Sequence, residues 1–312
     1  MIVTVTLNPS LDEWVEIDRL RLGRLHRAVR FVRYPGGKGI NVSRVVHELG
    51  GQTLAVGLAG GRDGQILSDL LHERRIAHRF LHVPGATRNN YEILTTHPPA
   101  LTQINCPGPK VAPSTMAQMR RLLLGLRPCP RAVVFSGSTP PGVPASCYRQ
   151  LLRALQPLGI LTVLDSSGSA LRSGLIARPW LIKPNRDEAE ELLGRRLRSF
   201  AQIVSAAKAL VRRGPSLAII SLGPEGAVLA SVAHAPVWHG RSPAVKVHST
   251  VGAGDALVAG FVMGYLATRA LPEAFRLGLA CGTATVLTSG TELCHRRDVK
   301  RLLPQIRLRP VQ

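Results

Sequence analysis

The chain has 312 residues, 45% of them apolar and 19% charged, a balance that supports a substantial core and excludes a disordered chain. No apolar run long enough to span a bilayer occurs, and the five scattered cysteines form no C-x-x-C pair, so no membrane span and no zinc site of that kind are expected. The formal net charge of +21 points first to polyanions, yet only six of the forty basic residues are lysine and aromatics are just 4%.

The arginines are spread along the chain in pairs such as Arg74-Arg75 and Arg212-Arg213. They read as a solvated surface whose field attracts small anions, and no specific nucleic-acid partner is expected. The odd, scattered thiols suit a reducing, cytoplasmic location. Residues 1–7 carry no basic n-region and no small-residue cleavage site, so they read as a strand rather than a signal peptide.

That first strand, 4–7, ends at Asn8-Pro9-Ser10-Leu11-Asp12. Polar residues just past a strand are where α/β folds place their sites. Residues 12–34 change to short alternating pieces, 14–17 and 28–32, which predict a hairpin outside the main sheet. Gly36-Gly37-Lys38-Gly39-Ile40-Asn41 then opens a helix with Val42, Val45, Val46 and Leu49 on one face. This turn lacks the spacing of a P-loop or a dinucleotide fingerprint, but Lys38 and Asn41 suit an anion or a polyol. Strand and helix alternate through 53–58, 65–75 and 79–83. A second alternating segment, 90–95 with 101–105, is expected to join the hairpin as a small sheet. Arg88 stands at its entrance, well placed for a phosphate.

The βα rhythm resumes at 132–135, followed by Ser136-Gly137-Ser138 and a helix carrying Tyr148, Leu151, Leu152 and Leu155. Further strands at 161–164, 180–182 and 217–220 run into Asp165-Ser166-Ser167-Gly168, Lys183-Pro184-Asn185-Arg186-Asp187-Glu188 and Ser221-Leu222-Gly223-Pro224-Glu225-Gly226. Strands that each end in a small polar or glycine-bearing turn predict a largely parallel sheet with its site along the strand tips. Ser249-Thr250-Val251-Gly252-Ala253-Gly254-Asp255 then sets a Gly-Ala-Gly turn ahead of an apolar helical run. The unpaired first amides of a helix form a site for anions. A carboxylate beside that anion suits a base that deprotonates a hydroxyl attacking phosphorus. Read alone, the stretch equally fits a tight turn whose aspartate caps the helix. Two helices, 271–287 and 296–303, are expected to close the chain.

Taken together, these turns resemble the PfkB-type, ribokinase-like family of carbohydrate kinases over essentially the whole chain. Gly36 to Asn41, Lys183 to Glu188 and Ser249 to Asp255 carry the match, while Leu7 to Asp12 and Ser136 to Gly142 resemble its phosphofructokinase branch. The resemblance implies an α/β fold: an αβα sandwich with a mostly parallel central sheet, one domain over 1–312, and a small β-sheet lid from 12–34 and 88–105. It implies an ATP- and Mg²⁺-dependent kinase that converts fructose 6-phosphate to fructose 1,6-bisphosphate. A 1-phosphofructokinase or tagatose-6-phosphate kinase is the alternative within the class. A non-catalytic sugar-phosphate sensor that binds nucleic acid is the alternative outside it.

Residue by residue, the resemblance makes Asp255 the base and Gly252, Ala253 and Gly254 the anion hole. Asp12, Gly36, Gly37, Lys38, Asn41 and Ser138 belong to the substrate pocket, and Arg88 with Arg24 to the phosphate already on the sugar. Lys183, Asn185 and Thr250 meet the triphosphate, Ser221, Gly223 and Gly226 line the nucleotide, and Glu188 organises Mg²⁺ through water. Ser249, Val251, Thr285, Thr288 and Gly290 loosely match a monovalent-cation (K⁺) site. Lys38 resembles 1-phosphofructokinases and tagatose-6-phosphate kinases, whereas Asp165 to Gly168 and Gly290 to Cys294 look closer to the minor 6-phosphofructokinase. Arg24 stands where lysine is frequent, which changes the geometry of any regulatory ATP site there. Exposed lid strands are unstable alone, so a homodimer pairing through the lid is expected.

Overall fold

The computed structural model describes residues 1–232 and 236–311. Strand β1 (Ile2–Thr6) is buried along its whole length, and its β-branched residues suit a strand covered on both faces. The chain leaves this layer for β2 (Ser10–Ile17) and β3 (Arg30–Gly36), then returns through α1 (Lys38–Glu48), β4 (Thr53–Ala59), α2 (Gly61–Glu73) and β5 (His78–His82). It leaves again for β6 (Arg88–Thr96) and β7 (Pro99–Asn105), then enters α3 (Ser114–Leu124), β8 (Ala132–Ser136), α4 (Cys147–Leu155), β9 (Leu161–Asp165) and α5 (Gly168–Leu175). The rest is β10 (Leu181–Ile182), α6 (Arg186–Leu193), α7 (Phe200–Arg212), β11 (Leu217–Ser221), β12 (Ala227–Ser231) and β13 (Val237–Arg241). After these come α8 (Ala253–Thr268), α9 (Leu271–Thr285), α10 (Arg296–Leu302) and β14 (Arg307–Val311).

The large sheet runs β14-β13-β12-β11-β10-β9-β8-β1-β4-β5, and every pairing from β11 to β5 is parallel. One face is sealed by α3 to α7, where Phe135, Tyr148, Leu152, Leu171 and Leu210 share a core. The other is sealed by α1 and α8 to α10 through Val45, Val134, Phe261, Phe275 and Leu302. This is the expected αβα sandwich. The parallel order lines up the tips of β1, β8, β9, β10 and β11, so Asn8, Ser138, Asp165, Lys183 and Ser221 follow one edge.

The end of the chain differs from the expectation of closing helices. Strands β12, β13 and β14 add an antiparallel edge to the sheet, and β14 ends the described chain. Its Arg-Leu-Arg-Pro-Val sequence reads as a basic tail, because arginine and proline are residues an edge strand tolerates and a central strand does not.

The small sheet has the order β3-β2-β6-β7, with β2 and β6 parallel and the outer pairs antiparallel. Its first hairpin runs from Ser10 to Gly36, slightly wider than the sequence suggested. Register places Tyr34, Asp12 and Asn90 in one cross-strand row. Leu11 packs with Ile40, Leu67 and Leu71, which anchors the lid's base to α1 and α2. Its outer strand β7 is exposed at every residue.

Candidate active site

Helix α8 starts at Gly252, whose φ of 76° lies in the left-handed region, and no side chain caps it. Asp255 therefore does not serve as the cap. Its carboxylate is 5% exposed and accepts a hydrogen bond from Asn41 Nδ2 at 2.9 Å. Burial pushes Asp255 up to about 6, with Asp165 adding to the rise while Lys38, the Asn41 bond and Lys183 oppose it. That is a carboxylate poised to accept a proton near neutral pH. A Cβ on Gly254 would lie 3.1 Å from Lys183 Nζ, so the ammonium sits over the open end of α8.

A second carboxylate organises the cations. Asp165, at the tip of β9, is wholly buried, and its Oδ1 takes Lys38 Nζ at 3.2 Å and Lys183 Nζ at 3.4 Å. Burial pushes Asp165 up, but Lys183 and Lys38 outweigh it and hold its carboxyl below the usual range. Asp165 in turn raises Lys38, with smaller contributions from Asp255 and Glu188. Asp165 Oδ2 is buried without a hydrogen-bond partner. The sequence reading left Asp165 unassigned, although its place in a strand-tip turn was visible.

A further polar cluster forms around the lid's base. Asp12 accepts from Ser10 Oγ (2.8 Å) and Asn90 Nδ2 (3.1 Å). Burial raises it, and the Ser10 and Asn90 bonds, then Arg44 and Arg88, pull it back. Gly36 has to be glycine here, since a Cβ would fall 2.3 Å from the Asp12 carboxyl. Gly37, with φ of 106°, makes the sharp entry to α1, which sets Lys38 and Asn41 one turn apart on its first turn. Arg88 donates from Nη2 to the Asn8 carbonyl (3.0 Å) and from Nη1 to the Cys106 carbonyl (3.1 Å), leaving a buried Nε–H with no partner. Asn8 Nδ2 also reaches Ser138 Oγ at 3.2 Å, so Asn8 joins Ser138 to Arg88. Asn8, Ser10 and Asn90 were not assigned from sequence, because their roles depend on register between segments eighty or more residues apart.

Arg24 departs from the expectation. It is exposed in the β2–β3 loop, its amide donates to the Arg21 carbonyl, and it is not among the groups that meet Arg88. A guanidinium on a loop tip is placed by whatever that loop docks against.

After β10, Asn185 and Glu188 form a reciprocal capping box at the start of α6, with bonds of 2.8 and 2.9 Å. Both residues thus have a structural role as well as a position beside Lys183. Asn185 is bridged to Ser221, and Gly223 and Gly226 turn the chain back with positive φ. A Cβ on Gly226 would strike the Gly240 carbonyl at 1.9 Å. Among the described residues no group of three or more His, Cys, Asp and Glu side chains could hold a metal. Glu188 and the unpartnered Asp165 Oδ2, both beside Lys38, are the carboxylates that fit a hydrated Mg²⁺ arriving on a nucleotide.

Ser249 and Val251 lie next to the end of α9, because the N–H of His248, just before Ser249, donates to the Val286 carbonyl. Thr285 Oγ1 is spent on Cys281 and Cys294, and Thr288 Oγ1 on the Thr285 and Glu292 carbonyls. These hydroxyls shape the turn, so only main-chain oxygens remain for a cation. Gly290 instead faces Trp14 of the lid. Thr250 is exposed beside the open end of α8.

The model of the pfkB family carbohydrate kinases matches residues 5–297. The chain is 35% identical to a 1-phosphofructokinase of Bacillus subtilis over 99% of both chains. It is also 35% identical to an ATP-dependent 6-phosphofructokinase isozyme 2 of Mycobacterium tuberculosis, covering 96% of this chain and 88% of that one. Phosphofructokinase-2 from Escherichia coli, solved with substrates and products, superposes with a TM-score of 0.91 at 33% identity, covering 97% of this chain and 98% of that one. A further structure of that enzyme is a complex with potassium. The chain belongs to the PfkB family of carbohydrate kinases.

Proposed function

We propose that this chain transfers the γ-phosphoryl group of ATP to a fructose monophosphate and forms fructose 1,6-bisphosphate, with fructose 6-phosphate as its preferred acceptor. The observation that carries this reading is Asp255, buried at an uncapped helix N-terminus between Asn41 and two lysines. The acceptor hydroxyl would lie between Asp255 and Asp12, and the Gly252–Gly254 amides would take the charge that builds on the transferred group. The unpaired Nε–H of Arg88 gives a second anion position beside Asp12, which favours a sugar phosphate over a free sugar.

Lys183, Asn185 and Thr250 would hold the triphosphate, with Ser221, Gly223 and Gly226 along the nucleotide. Glu188 would hold Mg²⁺ through water, and that ion supplies neutralisation of phosphate charge. The carbonyls near Ser249, Val251, Thr285, Thr288 and Gly290 form the candidate K⁺ site, in keeping with the potassium complex of the Escherichia coli enzyme.

A second reading, fructose 1-phosphate as acceptor, is favoured by Lys38 and by the Bacillus subtilis relative's name. Both acceptors yield the same bisphosphate, so product analysis does not separate them. Coupled ADP release with fructose 6-phosphate, fructose 1-phosphate, tagatose 6-phosphate and free fructose does. The highest kcat/KM is expected for fructose 6-phosphate. A higher value for fructose 1-phosphate reverses the preference, and no turnover on any of the four sinks the kinase reading.

We also propose that the chain is a homodimer through its lid. The β2–β3 loop exposes Leu22 (94%), Leu25 (82%) and Val29 (76%), and the sheet beyond it exposes Phe31, Tyr91 and Ile104. Apolar surface of this extent on a thin sheet is unstable in water unless covered. A partner lid would also give Arg24 a surface to dock against. Sedimentation at micromolar concentration should show a species of twice the chain mass, and a pure monomer would refute the dimer. The reduced thiols keep the proposed location cytoplasmic: all five cysteines are free, and no helix among the described residues is long and apolar enough to cross a membrane.

A further inference from the structure

Arg44 is a cation in an unusual setting. It lies one turn after Asn41 on α1, and among the described residues no carboxylate reaches ion-pair distance of it. Its guanidinium is held by neutral oxygens: Nη1 donates to Asn41 Oδ1 (3.1 Å) and the Pro35 carbonyl (3.3 Å), and Nη2 to the Thr291 carbonyl (3.0 Å). The Tyr34 ring lies 5.8 Å from it. The charged and titratable groups that face it are Arg74 at the end of α2, Asp12 on β2, Tyr34 on β3 and Glu292 after α9.

These contacts determine how an amide points. A guanidinium carries donors only, so Asn41 has to turn its oxygen toward Arg44. Its NH₂ is then left facing Asp255 Oδ2, at 2.9 Å. Without Arg44 the amide could turn over and present its oxygen to Asp255. Two oxygens that close are tolerated only when the carboxyl is protonated, and a protonated carboxyl accepts no proton from a substrate. We infer that Arg44 is a positioning residue which, by fixing the orientation of the Asn41 amide, keeps Asp255 in its proton-accepting form. Its bonds to Pro35 and Thr291 also lock the sugar-binding turn to the loop after α9.

The inference rests on the reading of Asp255 as the base, so Asp255→Asn is measured alongside. The test is the pH dependence of kcat for the wild type, Arg44→Met, the milder Arg44→Lys and Asn41→Ala. Asp255 is also faced by Lys38 from α1, Asp165 from β9 and Lys183 after β10, all unchanged in these variants. Burial holds Asp255 at about 6, which sets the wild-type acid limb. In Arg44→Met the limb should move up by about one pH unit, giving roughly a fivefold loss of kcat at pH 6 that disappears by pH 9. Arg44→Lys, which can reach one of the three acceptors, should lie between the two. Asn41→Ala should shift the limb as Arg44→Met does, and the double variant no further than either, because both act through one hydrogen bond. Millimolar guanidinium added to Arg44→Ala should restore the limb, while equimolar sodium chloride should not. A loss of kcat that is the same at every pH in Arg44→Lys or Arg44→Met would reduce Arg44 to a structural staple and overturn the inference. Should Asp255→Asn retain the wild-type rate, the base assignment would be at fault instead.

Discussion

Asp255→Asn is expected to lower kcat by about 10²–10⁴-fold, with the KM for each substrate changed far less. The amide keeps the shape of the carboxyl, and Asn41 can still donate to its oxygen, so the pocket is preserved. What is lost is a group able to take the proton of the attacking hydroxyl. Stability should not fall, because the substitution removes a carboxylate whose burial already works against its charge. Steady-state rates together with a thermal melt decide the matter. A variant that retains near wild-type kcat places the base elsewhere and removes the centre of the proposed mechanism.

Asp165→Ala is expected to damage both fold and function. Lys183 is 95% buried and shares Asp165 Oδ1 with the partly exposed Lys38, so the substitution leaves a buried ammonium without the carboxylate that pairs it. Removing one partner from a buried ion pair costs about 3–5 kcal/mol. In a chain of this size that corresponds to a fall in Tm of about 5–8 °C. The folded-state carboxyl is held below the ordinary range, so its contribution is complete above that range and is lost as pH falls through the lowered value. The Tm gap between wild type and variant should therefore close under strong acid. Activity should fall as well, since Lys38 and Lys183 lose the anchor that aims them across the open end of α8. Unchanged Tm and kcat in Asp165→Ala would show that the lysines are held by something else.

Much of this architecture was readable from single stretches. Periodicity and strand-tip turns placed β1, β4 and β8 to β11, the helix from Lys38 and the helix from Ala253, because each signal lies within a dozen residues. The two alternating segments were readable as one small sheet because period-2 patterning with polar interruptions does not suit a strand buried in a parallel layer. Strands β12 to β14 were not, since β12 and β13 are only five residues each and pair antiparallel outside the βα rhythm, while the exposed edge strand β14 looks like a basic tail.

The segments of the candidate site separate along the same line. Residue type and local order by themselves determined that a glycine turn opens an apolar helix at Asp255, that another precedes Asn41, and that Lys183 follows a strand. Pairing was decided only by the tertiary structure. It brought Asn41 to Asp255 across 214 residues, gave both lysines to Asp165, set Asn90 beside Asp12, and left Arg24 on a loop away from Arg88. The physical reason is that backbone conformation is a local property, whereas the charge state and aim of a buried side chain depend on neighbours that only the packed sheet and lid bring within a few ångströms.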